Sequence, residues 1–203
     1  MTSHLKLAGA ALALARVLTA CSPAPDSAAA APAAPAASSY ADDRAAIEDL
    51  QGRYMFALDW RDEDAYAATF APDGQMDSAA VTGKGRDAIR QEIIDMEARE
   101  AKRATETGKP VPRMRHNITN VALEIDGDHA YGKAYWTSYT NANGKPEING
   151  YGHYEDEMIK IDGMWYFVKR KIYNEFAPGR EAPAKVNWPP TGATPTATPA
   201  SPS

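Results

Sequence analysis

The sequence predicts an α+β domain in which N-terminal helices pack on a strongly curved antiparallel sheet. Two observations set the class and a third sets the curvature. From Asp43 to Glu106 the apolar residues recur at helical spacing, whereas beyond Arg113 four stretches rich in β-branched and aromatic residues move towards a period of two. The four stretches are joined by the turn signals Asp126-Gly127-Asp128, Asn141-Ala142-Asn143-Gly144 and Asp162-Gly163, which favour a meander of hairpins. In the first stretch the apolar phase changes between Ile118 and Val121, as a β-bulge that bends the sheet would require.

Residues 1–20 read as an export signal: Lys6 lies in a short polar start, and the apolar run Leu7 to Leu14 is too short to span a bilayer. It ends in Leu18-Thr19-Ala20-Cys21, which resembles a bacterial lipobox and marks Cys21 for lipidation. Arg16 interrupts the run, and ordinary cleavage leaving a free thiol is the alternative. That alternative fits less well, because cutting before Cys21 would put Leu18 at the −3 position, where small residues are wanted. Acylation there implies a lipid anchor in the cell envelope. Ser22 after the cysteine points to the outer membrane, with the domain facing the periplasm. Residues 21–39 are nearly all Ala, Pro and Ser and read as a tether.

The folded domain is expected over residues 40–180. A helix from Asp43 to Trp60 would bury Ile47, Leu50, Tyr54 and Leu58, with Asp42 or Asp43 as N-cap and Asp59 at its end. Asp62 would cap a second helix, Glu63 to Phe70, and Ala71-Pro72-Asp73-Gly74 would end it in a turn before a short strand at Gln75 to Asp77. A loop at Thr82 to Gly85 precedes a third helix from Arg86, whose apolar face is Ala88, Ile89, Ile93, Ile94 and Met96. Gly108 to Pro112 breaks that helix. The strands are expected at Met114 to Ile125, Ala130 to Thr140, Ile148 to Ile161 and Met164 to Phe176. Residues 181–203 lack core residues apart from Trp188 and read as a disordered tail.

Charge and cysteine content exclude several classes of function. Lys and Arg number 22 against 27 Asp and Glu, for a net charge of −5, with no basic run, so nucleic acid is not an expected partner. Cys21 is the sole cysteine, which leaves no disulfide within the chain and no cysteine-based metal cluster. No nucleophile elbow, phosphate loop or metal-ligand spacing is present, and no cofactor is expected.

The pieces Ile47 to Asp59 (IEDLQGRYMFALD), Ala65 to Gly74 (AYAATFAPDG), Gly85 to Ile89 (GRDAI), Arg115 to Asn120 (RHNITN), Gly150 to Asp156 (GYGHYED) and Ile161 to Arg170 (IDGMWYFVKR) follow one another in a characteristic order. In that order the domain resembles the SnoaL-like branch of the nuclear-transport-factor-like superfamily, whose fold is a cone of helices against a curved sheet. Scytalone dehydratase and the hexachlorocyclohexane dehydrochlorinase of that superfamily place an aspartate at the end of the first helix and a histidine on a central strand. Asp59 and His116 occupy those positions here. The resemblance implies a lyase or isomerase acting on a small, largely apolar organic molecule, with His116 as base and Asp59 orienting it. A non-catalytic envelope module that binds a ligand or a partner is the alternative, since the superfamily contains both. Scytalone dehydratase has a second pocket histidine that aligns near Tyr151 here, with His153 two residues on. Tyr54, Tyr151 and His153 are therefore candidate ligand contacts. Tyr54 in such a place is more often a core residue than a ligand contact, and Tyr151 with His153, two apart and so on one face of a strand, would equally suit a homodimer interface. Trp136 and Trp165 read as packing residues, and Arg170 as the partner of an acidic side chain.

Overall fold

The computed structural model describes residues 38–78, 82–142 and 144–176. The export signal, Cys21, all but the last two residues of the tether, and the tail from 181 lie outside the described residues. Among the described residues three helices, α1 (Tyr40–Trp60), α2 (Glu63–Ala68) and α3 (Arg86–Thr107), pack on one six-stranded sheet. Its strands are β1 (Phe70–Ser78), β2 (Thr82–Lys84), β3 (Met114–Asp126), β4 (His129–Thr140), β5 (Glu147–Ile161) and β6 (Met164–Asn174), in the spatial order β2-β1-β6-β5-β4-β3. The fold is the expected α+β cone. Among the described residues no helix is long and apolar enough to cross a membrane.

Helix α1 starts three residues earlier than the periodicity implied, because Ser39 rather than an aspartate is its N-cap. The Ser39 hydroxyl accepts from the Asp42 amide and the Asp42 carboxylate accepts from the Ser39 amide, a reciprocal capping box. Asp43 is freed for another task. It is buried, and its carboxylate accepts from Trp165 Nε1 at 3.0 Å and from Lys160 Nζ, which ties the start of α1 to the β5–β6 hairpin. The expected face, Ile47, Leu50, Tyr54 and Leu58, is buried, and Arg61 ends the helix in a left-handed conformation with φ 60°.

Asp62 caps α2 as predicted, accepting from the Ala65 amide, but the helix stops at Ala68. The segment Ala71 to Gly74, expected as a turn, instead belongs to β1, as an irregularity between the pairings Phe70 with Phe167 and Gln75 with Lys169. A Cβ on Gly74 would lie 2.8 Å from the Phe167 carbonyl oxygen, so glycine is what allows the strand to kink there without leaving the sheet. The predicted loop at Thr82 to Gly85 also corrects: Thr82–Lys84 is β2, paired antiparallel with β1. Gly85, with φ 80°, leads into α3, which ends at Gly108 with φ 65°. Only Ile89 and Ile93 of the expected α3 face are fully buried.

The meander β3-β4-β5-β6 matches the predicted strands to within two residues at each end. The predicted bulge in β3 lies between Thr119 and Ala122, where Asn120 takes φ 54°. What sequence patterning did not disclose is that β1 adds to β6 in parallel. The inner sheet face and the helices enclose a core built on Phe70, Trp165, Phe167, Tyr154 and Ile47. Within it Arg170 has the acidic partner expected of it: Nε and Nη2 donate to the two Asp156 carboxylate oxygens at 2.8 and 2.7 Å, and both side chains are wholly buried.

Candidate active site

His116 projects from β3, the last strand of the sheet, so its outward amide has no neighbouring strand to pair with. Asp59, one residue from the end of α1, fills that role and a second one. Its Oδ2 accepts from the His116 backbone N–H at 2.9 Å while its Oδ1 lies 2.6 Å from His116 Nδ1. The bland function of a helix-end aspartate, capping a backbone amide, and the orientation of an imidazole are thus performed by one carboxylate. The side chains are 6% and 10% exposed, so the contact is little screened by water. A carboxylate only accepts, so in the neutral ring the hydrogen sits on Nδ1 and Nε2 is an acceptor. Two anchor points, one to backbone and one to ring, fix both the position and the tilt of the imidazole.

His116 forms part of the wall of a cavity of about 200 Å³ between the helices and the inner sheet face. Asp59 is not on that wall; it stands behind His116. Strand alternation explains the lining. Cross-strand register sets Ser138 opposite His116, Trp136 opposite Ile118, Gly152 opposite Trp136 and Ile172 opposite Tyr154, so one face of four strands points inward. From that face come Trp136, Tyr154, Ile172 and Asn174; α1 adds Tyr54 and Leu58, α2 adds Tyr66, and α3 adds Met96. The cavity is lined mainly by aromatic and aliphatic side chains, with an imidazole at one point and a few polar groups.

Tyr54 reaches this wall, but its hydroxyl is already engaged. It lies 2.7 Å from the Tyr66 hydroxyl, which in turn donates to Met76 Sδ at 3.0 Å. Tyr151 and His153 do not reach it, which corrects the expectation that they contact a ligand there. Both sit on the opposite face of β5. Tyr151 is 46% exposed and packs edge-on against Phe176, while His153 stacks on Tyr173 at 4.3 Å and bonds through Nδ1 to Glu175. The inward residue of that stretch is their neighbour Tyr154. Side chains alternate along a strand, so Tyr151 and His153 share the outer face of β5 while Tyr154 takes the inner one.

Beneath the cavity floor the Arg170 guanidinium lies 4.2, 4.1 and 3.9 Å from the ring centroids of Tyr54, Tyr154 and Phe167. Burial opposes its charge, but the Asp156 carboxylate outweighs that and holds the guanidinium above its ordinary value. Burial pushes the Tyr54 phenol up, and the Tyr66 and Tyr154 phenols well up, so all three are neutral donors. Tyr66, Trp136 and Tyr154 were missed as site residues in the sequence. The signal that could have found Trp136 and Tyr154 is the shared phase with His116 across β3, β4 and β5; Tyr66, on α2, carries no such signal. Among the described residues no group of three His, Cys, Asp or Glu is placed to hold a metal ion.

The profile of a family described as SnoaL-like domain matches residues 39–171. No curated protein matches the chain. Among solved structures, a Mycobacterium tuberculosis protein of unknown function is 28% identical, covering 68% of this chain and 76% of its own, with a TM-score of 0.57. A Nostoc punctiforme protein of unknown function with a cystatin-like fold is 28% identical over 68% of this chain and 94% of its own, with a TM-score of 0.56. A putative scytalone dehydratase from Novosphingobium aromaticivorans is 21% identical over 66% and 85%, with a TM-score of 0.51, a likeness of fold.

Proposed function

Because the chain belongs to the family of SnoaL-like domains, we propose that it is a small-molecule lyase or isomerase that removes a proton from carbon, with His116 as base and Asp59 as its orienting partner. One observation carries the reading: Asp59 grips His116 at backbone and ring, so that the remaining ring nitrogen is an acceptor in the wall of a largely apolar cavity. The putative scytalone dehydratase among the solved structures is consistent with it at the level of fold.

In the proposed step His116 Nε2 takes the proton from a carbon next to a carbonyl, the C–H electron pair forms the enolate C=C bond, and the carbonyl π pair moves onto oxygen. The imidazolium formed is stabilised by the Asp59 carboxylate at 2.6 Å, in a site with little competing water. For isomerisation the imidazolium returns its proton to a different carbon of the enolate. For elimination the enolate pair forms the new C=C bond as a β-hydroxyl leaves, and the imidazolium proton joins it as water. Either way the base ends as it began. The apolar lining favours a substrate with a hydrocarbon body and a single polar edge.

The test uses 2-tetralone in D2O, with loss of its α-proton signals followed by NMR. The wild-type protein is expected to accelerate exchange above buffer, and His116→Ala to lower that acceleration by roughly 10²-fold or more. Exchange that is equal in the variant, or binding of the ketone without any exchange, would remove the catalytic reading; the second outcome would favour a module that only binds.

The same proposal places this domain on a lipid anchor at Cys21 in the cell envelope, supported by the lipobox Leu18 to Cys21 and the Ala/Pro tether. Cys21→Ser is expected to move the protein from the membrane to the soluble fraction; retention in the membrane would reject the anchor.

A further inference from the structure

Three tyrosines line the cavity, yet they are not equivalent as hydrogen-bond donors. Tyr66 spends its proton on Met76 Sδ, and Tyr54, 2.7 Å from the Tyr66 hydroxyl, then donates to Tyr66. Among the described residues no hydrogen bond engages the Tyr154 hydroxyl, although the side chain is 2% exposed and lines the cavity together with His116. A phenol on a cavity wall without a protein partner is available to donate to whatever occupies the cavity.

Building on the proton-abstraction reading, we infer that Tyr154 is a further catalytic residue, whose hydroxyl donates to the substrate oxygen on which negative charge develops as His116 takes the proton. The surroundings fit that role. Arg170, wholly buried and paired with Asp156, lies 4.1 Å over the Tyr154 ring and holds the phenol in place from behind. Burial is the main reason the Tyr154 phenol stands well above its ordinary value, with the Tyr54 phenol and the Asp156 and Asp59 carboxylates adding to it and Arg170 opposing. The proton therefore stays on Tyr154 and is shared, not transferred. Before proton abstraction the Asp59 carboxylate is an uncompensated negative charge near the site. Afterwards the imidazolium neutralises it, so an oxyanion at Tyr154 gains from His116 only once the charge has formed. An interaction that strengthens with the developing charge lowers the barrier rather than merely binding substrate.

The test reads binding without turnover, with 4-nitrophenolate as a planar oxyanion and nitrobenzene as the same ring without the oxygen. Wild-type protein is expected to bind the phenolate more tightly than nitrobenzene. Tyr154→Phe is expected to weaken the phenolate about 10- to 100-fold and to leave nitrobenzene within about 2-fold. Equal effects on both probes, or a wild-type protein that does not prefer the phenolate, would overturn the assignment. A second readout needs no variant. In wild-type protein carrying tyrosine labelled with 13C at Cζ, the Tyr154 resonance is expected to move on adding 4-nitrophenolate while that of Tyr135, on the outer face, stays; an unmoved Tyr154 signal would overturn it. If His116 is not a base, exchange of 2-tetralone fails while these readouts stand. If Tyr154 is not the donor, they fail while His116-dependent exchange stands.

Discussion

Replacing Asp156 with Ala should destabilise the domain by about 3–5 kcal/mol, the range for removing one partner of a buried ion pair. The structure puts this case at the severe end. Arg170 has no exposed surface, its Nε and Nη2 donate to Asp156, Nη1 has no hydrogen bond among the described residues, and the remaining neighbours include three aromatic rings that can soften a stranded charge but not neutralise it. Urea unfolding followed by near-ultraviolet circular dichroism would measure the loss through the buried Trp136 and Trp165, and a thermal scan should show a fall of roughly 6–20 °C. The double variant Asp156→Leu/Arg170→Met removes both charges and should lie within about 2 kcal/mol of wild type. A single variant that loses less than about 1 kcal/mol would refute the reasoning, since it would mean that the guanidinium finds water or another anion.

Three further outcomes follow from the packing. Gly152→Ala would bring a Cβ to 1.9 Å from the Tyr173 carbonyl oxygen, so the β5–β6 pairing must open; a melting temperature lowered by several degrees is expected in a thermal scan, and an unchanged one would contradict the contact. Ser39→Ala removes the α1 cap and should cost about 1 kcal/mol in urea unfolding. Burial opposes the Asp43 charge, but the hydrogen bonds from Lys160, Trp165 and Ser38 and the Lys160 charge outweigh it and hold this carboxyl below the usual carboxylate range. A depressed folded value means that the contribution is complete above the unfolded value of about 3.9 and is lost as pH falls through the folded one. Asp43→Asn should therefore lower stability at neutral pH and flatten its decline below about pH 4; parallel acid unfolding curves for variant and wild type would count against this.

The meander was legible because hairpins are written locally: Asp126-Gly127-Asp128 and Asp162-Gly163 state the turn, and alternation on either side states the strand. The bulge in β3 was legible for the same reason. β1 was only half visible, since its partner β6 lies about 95 residues on and a parallel pairing leaves no turn signal between them. Asp43 read as a cap because its partners Lys160 and Trp165 are as remote. The site divides in the same way. Asp59 and His116 were placed by a resemblance in which position along helix and strand suffices. Tyr154 needed the phase of β5, and Tyr151 to Tyr154 is an unbroken run of aromatic, glycine and histidine residues in which alternation cannot be seen. Irregularities at Ser138/Tyr139 and Glu157/Met158 further hide the register from a count along one strand.

The imidazole nitrogens of His116 can be observed directly by 15N NMR, which distinguishes the ring nitrogen that carries hydrogen from the one that does not. The arrangement of Asp59 requires hydrogen on Nδ1 and a bare Nε2 in the neutral ring, with that preference relaxed in Asp59→Ala. A neutral ring that instead carries its hydrogen on Nε2 would leave the cavity without a base and would contradict the account at its centre.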